Sequence, residues 1–381
     1  MKAVMRPRER VLYALNHAEP DRVPIDLAAT SVSGITLEAY RNIRRYLGMA
    51  PDASPRVSHL HQGIYFPRED LLTHYDVDFR TVQMKRSPRG HLAVPLTEDS
   101  FRDEYGIVWK RSAYDYSPMS APLQEATIAD LRHAAWPDPS DKARVEGVRE
   151  EARRLRETTD FAVVADIIDR GPFELAVKLR GYTQFLTDLY ADPCFAVALL
   201  DRITETNIAL WSIYLEAVGE YADIVCQGDD VGMQTSLIIS PEMYRRFIKP
   251  CHRRIFEFIH SRSQAKVFLH SCGSIYDIIP DLIDIGVDIL NPIQRTAANM
   301  DIDRLKREFG RELSFWGGGV DTQHFLPQAN LKDIEAEVRR TIETMAPGGG
   351  YVFVPTHNIQ PDITAERLDT VYAAALKYRT H

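Results

Sequence analysis

Eight short apolar runs, most followed by a stretch of helical spacing, constrain this chain more than any other feature. The runs are Val23 to Ala28, Asp78 to Met84, Phe161 to Ile168, Asp223 to Gln227, Lys266 to His270, Val287 to Asn291, Leu313 to Trp316 and Tyr351 to Val354. Such continuous apolar runs match strands buried on both faces. Helical spacing marks Pro193 to Val218, Pro241 to Ser261 and Leu331 to Met345, with Ser240, Asp301 and Thr364 as expected N-caps. Eight strand–helix units predict an α/β fold of the (β/α)8 TIM-type barrel kind. An open doubly wound sheet is the competing arrangement. No G-x-G-x-x-G follows the first run, so its nucleotide-binding form has no support.

The 381 residues suit a single barrel domain spanning 1–381 with an insertion at about 85–140. That segment is rich in Pro, Ser, Asp and Tyr (Arg86-Ser-Pro-Arg, Tyr114-Asp-Tyr-Ser-Pro, Trp136-Pro-Asp-Pro) and is expected to decorate the surface with strands and loops. A net charge of −8 and the lack of a basic arm exclude bulk electrostatic binding of nucleic acid. No run approaches the roughly 18 apolar residues that cross a bilayer. The basic stretch Met1 to Arg10 has no apolar segment behind it, so no signal peptide and a cytoplasmic, soluble protein are expected. Cys194, Cys226, Cys251 and Cys272 are too few and scattered for a disulfide scaffold and are read as reduced.

Barrel chemistry sits at the C-terminal strand ends. These ends carry Asp26, then Asp166, Asp169 and Arg170, then Gln227, Asp229 and Asp230, then His270 and Cys272, then Asn291 and Gln294, then Asp321, and last His357 and Asn358. Residues i and i+2 of a strand share a face, so His270 and Cys272 present an imidazole and a thiol together. That pair suits zinc, which takes N and S ligands. A third ligand must come from another strand end, and His357 is the best placed; Gln294 and Asp229 are candidates for a fourth. A buried Cys and a hydrogen-bonded His closing a strand would show the same spacing. Asp229 and Asp230 could supply a base, hold a cation or orient a ligating His, or form a solvated turn. His59, His61 and His74 are expected to be surface or structural residues.

Several motifs occur in one order: Arg8-Glu-Arg-Val-Leu-Tyr-Ala-Leu-Asn-His-Ala-Glu-Pro-Asp-Arg-Val-Pro-Ile-Asp26, Trp136-Pro-Asp-Pro, Gly228-Asp-Asp-Val-Gly, Ile239-Ser-Pro-Glu-Met-Tyr-Arg-Arg-Phe-Ile-Lys-Pro250 and Leu269-His-Ser-Cys-Gly-Ser. Through them the chain resembles the uroporphyrinogen decarboxylase-like superfamily from about residue 6 to 378. The resemblance implies a (β/α)8 barrel and one of two activities. The decarboxylase branch grips a polycarboxylate with an Arg-Gln-Ala-Gly-Arg run, and here the corresponding stretch from Asp26 to Ser33 has no arginine. The other branch comprises corrinoid-dependent methyltransferases whose zinc site is His-x-Cys plus a distant Cys. His270 and Cys272 match its first part, and His357 stands where Cys is usual.

The expected function is therefore a zinc-dependent methyltransferase. It moves a methyl group between a small substrate (a methoxylated aromatic, as in O-demethylation, or another donor) and a corrinoid (cobalamin) supplied in trans. The metal ligands are His270, Cys272 and His357. Asp229 and Asp230 are expected at the catalytic position, and Asp26, Asp166, Gln227, Asn291 and Gln294 at the substrate. No D-x-H-x-x-G motif holds a corrinoid in this chain, so a corrinoid protein is the expected partner; a homodimer is an allowed assembly. The alternatives are a metal-free decarboxylase and a non-catalytic corrinoid or tetrapyrrole binder.

Overall fold

The computed structural model describes residues 4–85, 94–112 and 116–380. Seven parallel strands form one curled sheet: β1 (Phe79–Val82), β2 (Ala162–Ala165), β3 (Ile224–Gly228), β4 (Lys266–His270), β5 (Ile289–Asn291), β6 (Ser314–Trp316) and β7 (Tyr351–Val352), each hydrogen-bonded to the next in sequence. The eighth position is filled by the stretch around Ile25. Ile25 bridges Phe353 in parallel, the Asp26 amide donates to the Phe353 carbonyl (2.9 Å), and the Asp78 amide donates to the Ile25 carbonyl (3.0 Å). The ring thus closes between β7 and β1, and the fold is the (β/α)8 TIM-type barrel.

The first expected strand shrinks to this single bridge for a local reason. Pro24 has no N–H to give to a ladder, and Ala28 already turns away at φ 61. The other strands appear where the apolar runs predict them. They are filled by side chains such as Val164, Val225, Ile289 and Phe315, all fully buried. Each such burial contributes about 1.5–3 kcal/mol. At the N-terminal end of the barrel, buried Arg10 bonds Asp21 and Asp78, so much of the N-terminal motif is a structural clasp.

Helix Pro193–Val218 matches its prediction, as does Leu331–Met345. Ser240, Asp301 and Thr364 cap as expected, accepting from the amides of Met243, Arg304 and Arg367. The helix predicted over Pro241 to Ser261 is interrupted. A short helical turn (Pro241–Met243) leads into a wide π turn (Tyr244–Ile248) before helix Lys249–Arg262 resumes. Pro250 explains the widening, because a proline inside a helix has no amide proton and crowds the carbonyl four residues back.

The segment after β1 forms a four-stranded antiparallel sheet: Val94–Thr97, Ser100–Arg102, Val108–Arg111 and Tyr116–Pro118. It is more than decoration, since Phe101, Tyr105, Ile107 and Trp109 are buried in the main core. The Arg86-Ser-Pro-Arg run and Tyr114-Asp115 lie outside the described residues. No helix among the described residues is long and apolar enough to cross a membrane. All four cysteines are free.

Candidate metal centre

Strand register brings the site together. Gly228 of β3, His270 of β4 and Asn291 of β5 are side-by-side Cα partners at the C-terminal rim. His270 Nδ1 lies 2.6 Å from Asn291 Oδ1, and the Asn291 amide donates to the Trp316 carbonyl (2.8 Å). That second bond orients the amide, so Oδ1 is the acceptor and Nδ1 carries the proton. The lone pair of Nε2 is thereby turned outward, which is how a ligating imidazole is prepared.

Nε2 faces Cys272 Sγ at 3.4 Å, and the His357 ring lies 5.5 Å from the His270 ring between centroids. One ligand atom from each of His270, Cys272 and His357 falls within 4.8 Å of the others. A zinc ion with bonds of about 2.1 Å to N and 2.3 Å to S sets tetrahedral ligands ~3.6 Å apart. The observed N–S separation matches that spacing. Two imidazole nitrogens and one thiol, with one imidazole already oriented, fit zinc.

The electrostatics agree. Burial, with Asp230 and Glu174 nearby, pushes the Cys272 thiol well up. Burial beside His270 drives His357 down to about 3, so its imidazole is neutral across the physiological range. A divalent cation reverses the thiol penalty by stabilising the thiolate it binds.

Asp230 and Asp229 have different surroundings. Asp230 Oδ1 accepts from the Cys272 amide (2.8 Å) and stands 3.7 Å from His270 Nε2; its carboxyl is raised, chiefly by burial. Asp229 turns away. Its fully buried carboxylate accepts from the amides of Phe173 (3.0 Å) and Glu174 (2.7 Å) and lies 2.7 Å from His252 Nε2. Helix Pro172–Arg180 thus begins on Asp229, whose side chain takes up two of the free amides of its first turn.

A cavity of about 860 Å³ opens beside the cluster, lined there by His270, His357, Asp230 and Glu174 and farther out by Tyr105 and Trp109 of the inserted sheet. The five expected substrate residues take up other positions, and none is among its described lining residues. Asp26 accepts from the Ala29 amide and Trp316 Nε1; Asp166 from Ser31, Gln83 and the Ile167 amide; Gln227 from Trp211 Nε1. Gln294 takes the Gly273 amide (2.7 Å), steadying the turn that holds Cys272, and Asn291 orients His270. His59 and His61 line the cavity, while His74 packs edge-on against the Tyr75 ring.

Glu174 and His252 are functional candidates that the sequence reading passed over. Glu174 had a signal: Gly171-Pro172 after the third run starts a helix, which puts residue 174 in the first turn above the rim. It is held by Lys178 (2.9 Å) and Arg170 (3.4 Å). His252 had none, since only the folded helix brings it under Asp229.

The family model for uroporphyrinogen decarboxylase (URO-D) matches residues 113–378. A methylated-thiol–coenzyme M methyltransferase of Methanosarcina mazei is 23% identical over 296 residues, covering 73% of this chain and 77% of that protein. A uroporphyrinogen decarboxylase of Syntrophotalea carbinolica is 27% identical over 255 residues, covering 65% and 68%. A solved methyltransferase structure from Methanosarcina mazei has a TM-score of 0.63 at 21% identity, covering 98% of this chain and 99% of that one, a likeness of fold.

Proposed function

The chain belongs to the uroporphyrinogen decarboxylase family, and within it we propose a zinc-dependent methyltransferase that moves a methyl group between a small substrate and a corrinoid on a partner protein. The convergence of His270, Cys272 and His357 beside an open cavity carries this reading. The similarity to a methyltransferase acting on methylated thiols supports it. A bound zinc ion would supply Lewis acidity to the heteroatom bearing the methyl group, improving it as a leaving group.

The chain's own residues supply the rest. Asn291 keeps His270 in the ligating tautomer. Asp230 fixes the Cys272 backbone and offers a carboxylate at the rim to hold or pass a proton. Lys178 and Arg170 fix Glu174 on the cavity wall. Asp26, Asp166, Gln227 and Gln294 hold the wall and the rim turns in place. Of the other described lining cations, Arg56 is paired with Glu151 and Arg144 with Glu104, which leaves Lys85 without an ion pair among the described residues. This leaves little charge for a polycarboxylate, which needs cations to meet it.

A metal-free decarboxylase is the second reading, favoured by the decarboxylase relatives and by Asp26, whose carboxyl is pushed up to about 6 inside the barrel. Zinc-loaded protein mixed with cob(I)alamin and methoxylated or methylthiolated donors separates the two. Methylcobalamin should form, and Cys272→Ala and His357→Ala should each reduce the rate at least about 100-fold. A decarboxylation that survives Cys272→Ala would favour the lyase. A cobalamin absorption shift with no turnover would favour a binding protein.

A further inference from the structure

Behind the ligand turn lies a chain of three buried side chains that the proposed reaction does not touch. Tyr244, His252 and Asp229 are at most 1% exposed. His252 Nε2 stands 2.7 Å from Asp229 Oδ2, and His252 Nδ1 stands 3.1 Å from the Tyr244 hydroxyl. Both Asp229 oxygens already accept backbone amide protons, so Nε2 carries a proton and donates to Asp229. Nδ1 then accepts from Tyr244, whose hydroxyl burial keeps protonated by pushing its pKa well up. Each donor has its acceptor, and each ring has one orientation.

The wide turn Tyr244–Ile248 makes this possible. In a regular helix, residues eight apart diverge by about 80° around the axis. One extra residue in a π turn makes the pair equivalent to seven apart, within about 20°.

We propose that the Tyr244–His252–Asp229 chain is a positioning device for the zinc ligands, acting through the turn 228–232. The proposal rests on the reading that His270, Cys272 and His357 hold zinc. That turn is stitched to the ligand turn at three points. The Asp229 amide donates to the His270 carbonyl (2.9 Å), the Val231 amide to Ser271 Oγ (3.2 Å), and the Cys272 amide to Asp230 Oδ1 (2.8 Å). Gly232 and Gly273 touch so closely that a Cβ on Gly273 would lie 2.6 Å from the Gly232 carbonyl carbon. A displacement of Asp229 therefore moves the backbone of both His270 and Cys272.

The test is zinc affinity, by competition with a chelator, alongside melting temperature and zinc stoichiometry of the wild type. His252→Ala should weaken zinc binding by at least about 10-fold, the usual cost of losing an outer partner. His252→Gln, whose amide still donates to Asp229, should recover most of that affinity. Tyr244→Phe removes one hydroxyl and should weaken binding in the same direction by less. Ile255→Ala, fully buried on the same helix, should lower the melting temperature and leave zinc affinity unchanged. Wild-type affinity in His252→Ala, or an equal loss in Ile255→Ala, overturns the positioning role while the metal site stands. A wild type that takes up no zinc overturns the metal reading and this proposal with it.

Discussion

Asn291 determines which nitrogen of His270 faces the cavity. Its Oδ1 holds the Nδ1 proton, and replacing it by Leu leaves both tautomers open. Asn291→Leu should lower zinc affinity by about 10–100-fold with all three ligands intact, read by chelator competition; unchanged affinity would remove Asn291 from the site. Asp26 makes a prediction in pH. Its carboxyl, pushed up to about 6 by burial, keeps its proton in the folded protein through a window where the unfolded chain releases it at about 3.9. The stability it contributes is complete below about pH 4 and lost as pH rises through about 6. Relative to Asp26→Asn, the wild type should lose about 1–3 kcal/mol between those pH values in denaturant titrations. A constant difference across the window would contradict the shift. At this scale the sequence showed His270 and Cys272, because i and i+2 share a strand face. It showed His357 because the eighth run ends there. It could not show which of Asp229 and Asp230 faces the cluster, since a turn has no periodicity to read.

At the scale of elements, Gly171 is a tight contact between a helix start and the neighbouring turn. A Cβ there would fall 2.3 Å from the Asp229 Cβ and 2.6 Å from the Gly228 carbonyl oxygen. Gly171→Ala should therefore push helix Pro172–Arg180 off its Asp229 anchor and destabilise the protein by about 1–3 kcal/mol, measured by thermal or urea unfolding. A variant as stable as the wild type would show that the helix does not depend on that contact. The barrel strands were legible because runs buried on both faces stay apolar throughout. The weakest was the first, where Pro24 lets closure rest on one bridge. The predicted helix from Pro241 widened over Tyr244–Ile248, ahead of Pro250, a residue in plain view whose effect depends on the tertiary contacts that accept a π turn. The inserted sheet was legible as strands. Its burial of Tyr105 and Trp109 against the cavity was not, because those contacts link residues distant in sequence.

For the whole molecule, a family barrel, a cavity and a three-ligand cluster meet in one centre. If the cluster binds zinc in the folded state, zinc stabilises the protein by mass action. At 100 times the dissociation constant the gain is about 2.7 kcal/mol. A rise in melting temperature with zinc, absent in His357→Ala, is the expected calorimetric result; equal rises would place the ion elsewhere. The most direct measurement is elemental analysis of the wild type and Cys272→Ala after zinc loading and removal of free metal. One zinc per wild-type chain and little or none in the variant are the expected results. A wild type without zinc, or a variant that keeps it, would contradict the centre at His270, Cys272 and His357.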